Sequence, residues 1–511
     1  GDRVVGFMPN TIEAVVAMLA TASLGAVWSS CSPDFGVSGA VDRFGQIEPR
    51  LLFTADGYRY NTRVWGSLDR VRMMVEAIPT IEQVIVIPKI SPEPDVSDVP
   101  NAVIWSEVMQ KAGDPLDFVP CHFNDPLFIL YSSGTTGVPK CIVHSIGGTL
   151  LQHAKEHALH VDISREDRFF YFTTCGWMMW NWLVSGLARG ATLVLYDGSP
   201  FVRENHRLVD AIDEENITVF GVGAKYLSAL EKNDVFPADT HRLDSLKTVL
   251  STGSPLPHEG FEWVYRAFKP DLHLASISGG TDIVSCFVGG VPTLPVYAGQ
   301  IQAPGLGMAV SIWNDDGESV EQEKGELVCT RPFPSCPIGF WRDFDGTKFR
   351  NAYFDRWSGI WAHGDYGEVT AEGGFVIHGR SDAILNPGGV RIGTAEIYRQ
   401  VERITEILDS VVVSQDWQDD VRIILFVVLR EGAALDVTLV EQILQEIRSN
   451  TTPRHVPAKI LQVDDIPRTI SGKIAELAVR KVIHGEPVGN QDALANPESL
   501  NYFTSIVELK T

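Results

Sequence analysis

Short apolar runs of four or five residues recur along the chain, each bounded by turn formers and separated from the next by a longer stretch with helical spacing. Residues 4–8 precede a helix-like stretch at 11–24, and further runs lie at 84–87, 127–131, 192–196, 219–222 and 248–251. A run that is apolar at every position has both faces covered. That is how strands of a parallel sheet read, and the stretches between them supply the crossover helices such sheets require. The expected class is α/β, with mixed, largely parallel sheets flanked by helices. At 511 residues the chain exceeds one core, so two to four folding units are expected. The pattern changes after residues 379–382. Beyond them a helix is expected at 394–408, strands at 410–414 and 422–429, and a helix at 437–448, enough for a small separate α+β domain. Residues 91–100, rich in Pro and Asp, read as a surface loop, and no internal repeat is visible.

The formal charge of −23 argues against general binding to nucleic acid or to an anionic membrane. It leaves room for a local cationic site, and its ordinary meaning is solubility. No run of about 18 apolar residues occurs. The best candidate, 12–28, is interrupted by Glu13, Thr21 and Ser23 and reads as a buried helix. Seven Cys are scattered with no C-x-x-C pair. That argues against a zinc site and for reduced thiols and a cytoplasmic address. The chain opens at Gly1, with a strand at once and no signal peptide, so it reads as cut at its start.

Function is signalled first by Tyr131-Ser132-Ser133-Gly134-Thr135-Thr136-Gly137-Val138-Pro139-Lys140, directly after an apolar strand. Two glycines allow a tight turn and close approach to a ligand. Four hydroxyls and successive backbone N–H groups can surround phosphate oxygens, and Lys140 adds a cation. A polar strand-to-helix loop is the plain alternative for such a run. The order of residue types does not fit G-x-x-x-x-G-K-[ST], which disfavours a P-loop ATPase or kinase.

This segment resembles the phosphate-binding signature of the adenylate-forming superfamily: acyl-CoA synthetases, peptide-synthetase adenylation domains and luciferases. Further stretches resemble that family's motifs in the family's order. Gly253-Ser254-Pro255 matches a turn that lies against adenine. Ser278-Gly279-Gly280-Thr281-Asp282 matches the segment whose Thr approaches the α-phosphate and whose acid helps hold Mg²⁺, together with Thr135; the family has Glu where Asp282 stands. Trp361-Ala362-His363-Gly364-Asp365 matches the ribose signature, since a carboxylate can accept from both ribose hydroxyls. Gly379-Arg380-Ser381-Asp382 matches the hinge, with Arg380 also reaching the nucleotide. Gly388-Gly389 matches the loop that lets the pantetheine arm of CoA pass, and Arg391 an Arg that contacts the phosphates. Lys473, in Arg468-Thr469-Ile470-Ser471-Gly472-Lys473, matches the catalytic lysine.

The resemblance implies a large nucleotide- and acyl-binding domain over 1–381 and a mobile lid domain over 382–511 that swings about Asp382. Lys473 would face the site in the first half-reaction and the Gly388-Gly389 loop in the second. Arg59 and Arg448 match positions that contact the nucleotide end of CoA. The implied reaction consumes ATP, an acid and coenzyme A with Mg²⁺, and releases AMP and pyrophosphate through an acyl-adenylate. Within the superfamily, residues 29–36, 42–49, 174–180 and 496–500 resemble acetoacetyl-CoA synthetases, which activate a β-keto acid of ketone-body and lipid metabolism. Trp177, Met178 and Gly279 would line the acyl pocket. In acetyl-CoA synthetases a Trp stands where Gly279 is, so its absence is expected to make room for a longer acid. The 38 residues after Lys473 are too few for a carrier domain, which disfavours a peptide-synthetase module. An intact Lys473 and phosphate loop disfavour a non-catalytic nucleotide sensor. Nothing marks a luciferase. Small molecules are the expected partners, and a protein lysine acetyltransferase or deacetylase could act on Lys473.

Overall fold

Arg3–Phe7, the first apolar run, is an interior strand of an eight-stranded sheet in the computed structural model. The structure describes all residues except 111–112, 114, 132–138, 203–204, 386, 388–391, 419, 471, 490 and 511. Val4 lies between Trp28 of Val27–Cys31 and Leu51 of Leu51–Ala55, both strands running parallel to it. The parallel part continues through Gln83–Ile87 to Ala102–Ile104. On the other side Pro126–Tyr131 joins in parallel, followed by antiparallel Cys141–Ser145 and Gly339–Phe340. A second, five-stranded sheet is wholly parallel: Thr192–Val194, Arg168–Tyr171, Val219–Gly223, Thr248–Thr252 and His273–Ser276. Helix Ile12–Ser23 turns Ala14, Val15, Ala17 and Met18 inward. They join one core that holds Trp28 and Phe128 from the first sheet and Phe169 and Leu250 from the second. The two sheets are therefore fixed relative to each other, and the site can draw on both.

Two smaller antiparallel sheets follow. One pairs Ser278–Gly280, Ser285–Gly289 and Ala303–Pro304; the other pairs Val310–Trp313, Gly325–Cys329, Trp361–Val369 and Phe375–Arg380. The small C-terminal domain is built on Ile407–Trp417, Asp420–Leu429 and Lys459–Gln462. Val412 and Leu425 pack beneath helices Thr394–Val401 and Val437–Asn450, while Val411, Val413 and Phe426 pack on the opposite face with Val479 of Glu476–Ile483. Both faces are covered where Val411, Val412 and Val413 pair with Phe426, Leu425 and Ile424, hence the apolar runs at 411–413 and 423–429. The helix expected over 394–408 ends at Val401. Ile407 instead pairs with Leu429 and opens the strand, a ladder that wins over local helical spacing. Among the described residues no helix is long and apolar enough to cross a membrane.

Candidate active site

A cleft opens where the parallel strand Thr248–Thr252 runs out, the end at which open α/β sheets take ligands. The turn after it, Gly253-Ser254-Pro255, forms one wall, and Gly253 sits at φ +89°, in the left-handed region that favours glycine. Gly279, Gly280 and Thr281 form another wall, Asp365 and Arg380 a third, and Lys473 closes the cleft from the small domain.

The polar heart of the cleft is held by Trp361–Val369 and its neighbours. Gly364 has φ +83°, and its N–H donates to Glu326 Oε1 at 2.7 Å. A Cβ there would come within 2.5 Å of Arg380 Nη2. Only glycine lets the guanidinium fold back across this strand. Arg380 Nη1 then donates to Asp365 Oδ1 at 3.0 Å and to the His363 carbonyl at 3.2 Å. Burial opposes the charge of Arg380, but Asp365, Asp382 and Asp282 outweigh it and hold the group above its ordinary value. Tyr353 stacks on Trp361, with centroids 3.8 Å apart and planes at 11°, and its hydroxyl donates to Asp282 Oδ1 at 2.5 Å. Burial works against an ionised Asp282; His363, that hydroxyl, Arg380 and Lys140 overcome it and keep the carboxyl below its usual range. Lys140 lies 5.5 Å from the Tyr353 ring centre and 5.6 Å from that of Phe340. Lys473 opens onto the cleft yet is ringed by protein. This desolvation, with Arg380 nearby, lowers its ammonium pKa against the pull of Asp365 and Asp282.

Trp177, Met178, Met179 and Trp182 give the inner end an apolar lining, to which Ser285 and Cys286 add polar groups. Gly279 is in this wall, but its role differs from the sequence expectation. Its missing side chain would not project into open space: a Cβ would lie 2.3 Å from Cys286 Cα and 2.3 Å from the Ser285 carbonyl oxygen. The strand register shifts between Ser278 and Gly279, and the two backbones approach too closely for any side chain. Glycine is thus required by strand packing, and the absence of an indole does not by itself account for the room.

Of the other sequence-derived candidates, Ser132, Ser133, Gly134, Thr135, Thr136, Gly137, Gly388, Gly389 and Arg391 lie outside the described residues. Asp382 is exposed in the short 3₁₀ turn Ser381–Ala383, 3.7 Å from Arg380 Nε through Oδ1. Arg59, on the hairpin strand Gly57–Tyr60, and Arg448, on Val437–Asn450, are both exposed and do not line the cleft. Sequence reasoning missed Tyr353, Glu326 and the polar cluster behind Ser285. The last had a signal: Gln152, His153, Glu156, His157 and His160 fall on one face of an otherwise apolar helical stretch.

The description "AMP-binding enzyme" matches residues 1–335, and "AMP-binding enzyme C-terminal domain" matches residues 397–473. The chain is 57% identical over 516 residues to the acetoacetyl-coenzyme A synthetase of Rhizobium meliloti, covering 100% of this chain and 79% of that one. It is 50% identical over 518 residues to the acetoacetyl-CoA synthetase of Gallus gallus, covering 100% and 78%. The structure of an acetoacetyl-CoA synthetase from Streptomyces lividans superimposes with a TM-score of 0.93 at 44% identity, covering 100% and 78%. An anthranilate CoA ligase shares the fold, with a TM-score of 0.81 at 20% identity over 94% and 87%. With two matched domains in order around one cleft and relatives of this identity along its whole length, the chain belongs to the acetoacetyl-CoA synthetases among the AMP-binding enzymes.

Proposed function

We propose that this chain is an AMP-forming acetoacetate–CoA ligase, and that Lys473, Thr281, Asp365 and Arg380 carry its first half-reaction. One observation carries the residue assignment: Lys473 of the small domain shares a cleft with the Asp365–Arg380 pair and Thr281 of the large one. A carboxylate is a poor acyl donor because its leaving group would be oxide. Attack of acetoacetate on the α-phosphorus of ATP expels pyrophosphate and gives acetoacetyl-adenylate. The thiol of CoA then displaces AMP. Such chemistry needs positioning and charge neutralisation more than a protein nucleophile. Lys473 and Arg380 supply positive charge at the cleft, Thr281 faces the α-phosphate, Asp365 accepts from the ribose hydroxyls, and Gly253-Ser254-Pro255 lies against adenine. Ser132 to Gly137, Lys140 and Arg391 are assigned to the phosphates, Gly388-Gly389 to the pantetheine arm, and Arg59 and Arg448 to the distal end of CoA.

Among the described residues no group of three or more His, Cys, Asp and Glu side chains is placed to hold a metal ion. Mg²⁺ does not need such a group, since it is usually held by one or two carboxylates plus substrate phosphates. Asp282 fits that requirement, kept ionised and with one oxygen engaged by Tyr353. Thr135 would be its companion. When bound, the ion would neutralise phosphate charge. The reading also places the boundary between domains at Asp382, the pivot of the swing between half-reactions. Acetylation of Lys473 by a protein acetyltransferase would remove its charge and stop the first step.

The test is an acid panel read for pyrophosphate release and for the CoA ester. Acetoacetate should give the highest kcat/KM, with AMP, pyrophosphate and thioester in equal amounts. A stronger preference for another short acid would overturn the substrate; release of pyrophosphate without any thioester would overturn the ligase.

A further inference from the structure

Behind the inner end of the cleft lies a polar cluster in an otherwise apolar core. Helix Ile146–Lys155 continues into a π-turn, Glu156–His160, closed by the Val161 N–H donating to the Glu156 carbonyl at 3.1 Å. π-turns interrupt the regular ladder and are frequent at functional sites. This one sets the Glu156 side chain, 1% exposed, against Ser285, Cys286 and Trp182, all of which line the cleft. The carboxylate is supplied several times over. Oε2 accepts from Trp182 Nε1 at 2.8 Å. Oε1 accepts from Gln152 Nε2 at 2.9 Å, from Cys286 Sγ at 3.4 Å and from the Ser285 hydroxyl, with Lys155 Nζ 3.7 Å away. Gln152 Nε2 also donates to Ser285 Oγ at 2.9 Å and so fixes that oxygen in place.

The turn carrying Ser285 is held in tension. Val284, a β-branched residue, sits at φ +49° and ψ +33°, in the left-handed region. His153 Nε2 lies 2.6 Å from its carbonyl oxygen and donates to it. This single turn joins Thr281 to Ser285, both in the cleft wall.

We infer that Ser285, positioned by Gln152 and Glu156, donates a hydrogen bond to the 3-oxo group of the acid and selects β-keto acids over unsubstituted acids of the same length. The inference rests on the proposed acetoacetate chemistry. The geometry allows the donation without leaving a buried charge bare. If Ser285 turns its proton to a ketone oxygen, Glu156 keeps the indole, amide and thiol donors and the Lys155 ammonium. An unsubstituted chain offers no acceptor there, and the hydroxyl stays with Glu156. Sites built to hydrogen-bond a substrate group discriminate against its absence far better than apolar walls do.

The experiment compares acetoacetate with butyrate, which has the same number of carbons and no ketone. The readout is the ratio of their kcat/KM values in the wild type, in Ser285→Ala and in Gln152→Leu. A neutral hydrogen bond lost from the transition state corresponds to a fall of about 3- to 10-fold in that ratio. Both variants should show it, Gln152→Leu the smaller fall. Taking both rates from one preparation cancels any partial loss of folded enzyme. A ratio within twofold of wild type in Ser285→Ala, or equal loss of both acids, overturns the inference. Should Ser285→Ala not fold, an unmoved ratio in Gln152→Leu overturns it. If the wild type itself shows no preference for acetoacetate over butyrate, the substrate reading fails instead, and the two failures are distinct.

Discussion

Replacing Tyr353 by Phe removes one oxygen and leaves the ring. The stack on Trp361, 3.8 Å between centroids, survives, so the change isolates the bond to Asp282. At 2.5 Å this is a charge-assisted contact of the stronger kind. Hydrogen bonds to charged groups are worth about 1.5–3 kcal/mol. Asp282 is half-buried and keeps His363, Arg380 and Lys140 around it, which puts the loss at the lower end, about 1–2 kcal/mol. If that loss falls on the transition state, acetoacetate-dependent exchange of pyrophosphate into ATP slows by about 5- to 30-fold at neutral pH. The pH profile supplies a second readout. The folded-state pKa of Asp282 is depressed, so the ionised carboxylate is present above its ordinary range and is lost as pH falls through the depressed value. Without the phenol donor that value rises, by roughly one unit per 1.4 kcal/mol, and the acid limb of the exchange rate moves to higher pH. An exchange rate within twofold of wild type, with the acid limb unmoved, would refute the reasoning and leave Tyr353 as a packing residue.

Four further outcomes follow. Lys473→Ala should lose adenylate formation yet still convert supplied acetoacetyl-adenylate to thioester; equal loss of both rates contradicts separate roles. Because its lowered pKa lets the Lys473 ammonium deprotonate early as pH rises, wild-type adenylation should show an alkaline limb that Lys473→Arg, permanently charged, shifts upward. Asp382→Pro fixes φ near −65°, which a 3₁₀ turn accommodates, so adenylation should survive better than thioester formation; two unchanged rates would show that Asp382 is not the pivot. Gly279→Ala forces the 278–280 and 285–289 strands apart, at about 1–3 kcal/mol for overpacking, so acetate and acetoacetate should both lose about 5- to 150-fold in kcat/KM. Loss confined to acetoacetate would restore the missing-indole argument.

The sheets were legible because their strands are buried on both faces, and burial of that kind writes itself as a run: residues 4–8, 219–222 and 248–251 fall on strands Arg3–Phe7, Val219–Gly223 and Thr248–Thr252. Helix ends were less legible where a long-range ladder competes with local spacing, as at Ile407. In the cleft, residues that need a local backbone shape stood out. Gly253 and Gly364 sit at positive φ inside short motifs, and Lys473 in a Gly-containing turn. What did not stand out were contacts made across long separations. Tyr353 reaches Asp282 over 71 residues and Gln152 reaches Ser285 over 133, and nothing in either neighbourhood announces the partner. Gly279 shows the opposite failure. The sequence marks a side chain as absent but cannot say what fills its place, and here it is the backbone of Ser285 and Cys286.

The cleft is completed by Tyr398, Arg399, Glu402 and Lys473 of the small domain, and several contacts between this domain and the large one are ionic. Lys225 meets Glu402 at 3.0 Å and Asp409 at 3.5 Å, Lys324 meets Glu396, and Arg403 meets Glu259. The lysines and Arg403 keep roughly a third of their side-chain surface in water. Pairs of that kind contribute about 0–1 kcal/mol each and are screened by salt. An apolar interface would behave differently, because every 100 Å² exposed on opening costs about 2.5 kcal/mol. In the proposed swing the small domain would present two faces to one adenylate in turn, and a barrier of many kcal/mol between them would limit turnover. For such a swing, charged pairs would register the domain through direction and distance and release it cheaply, because water and ions can take over each partner. Ile443 and Ile447 pack within the small domain and Trp28 and Phe169 within the large one, while Ile470 of the small domain packs on the large domain's core and would have to leave it on opening.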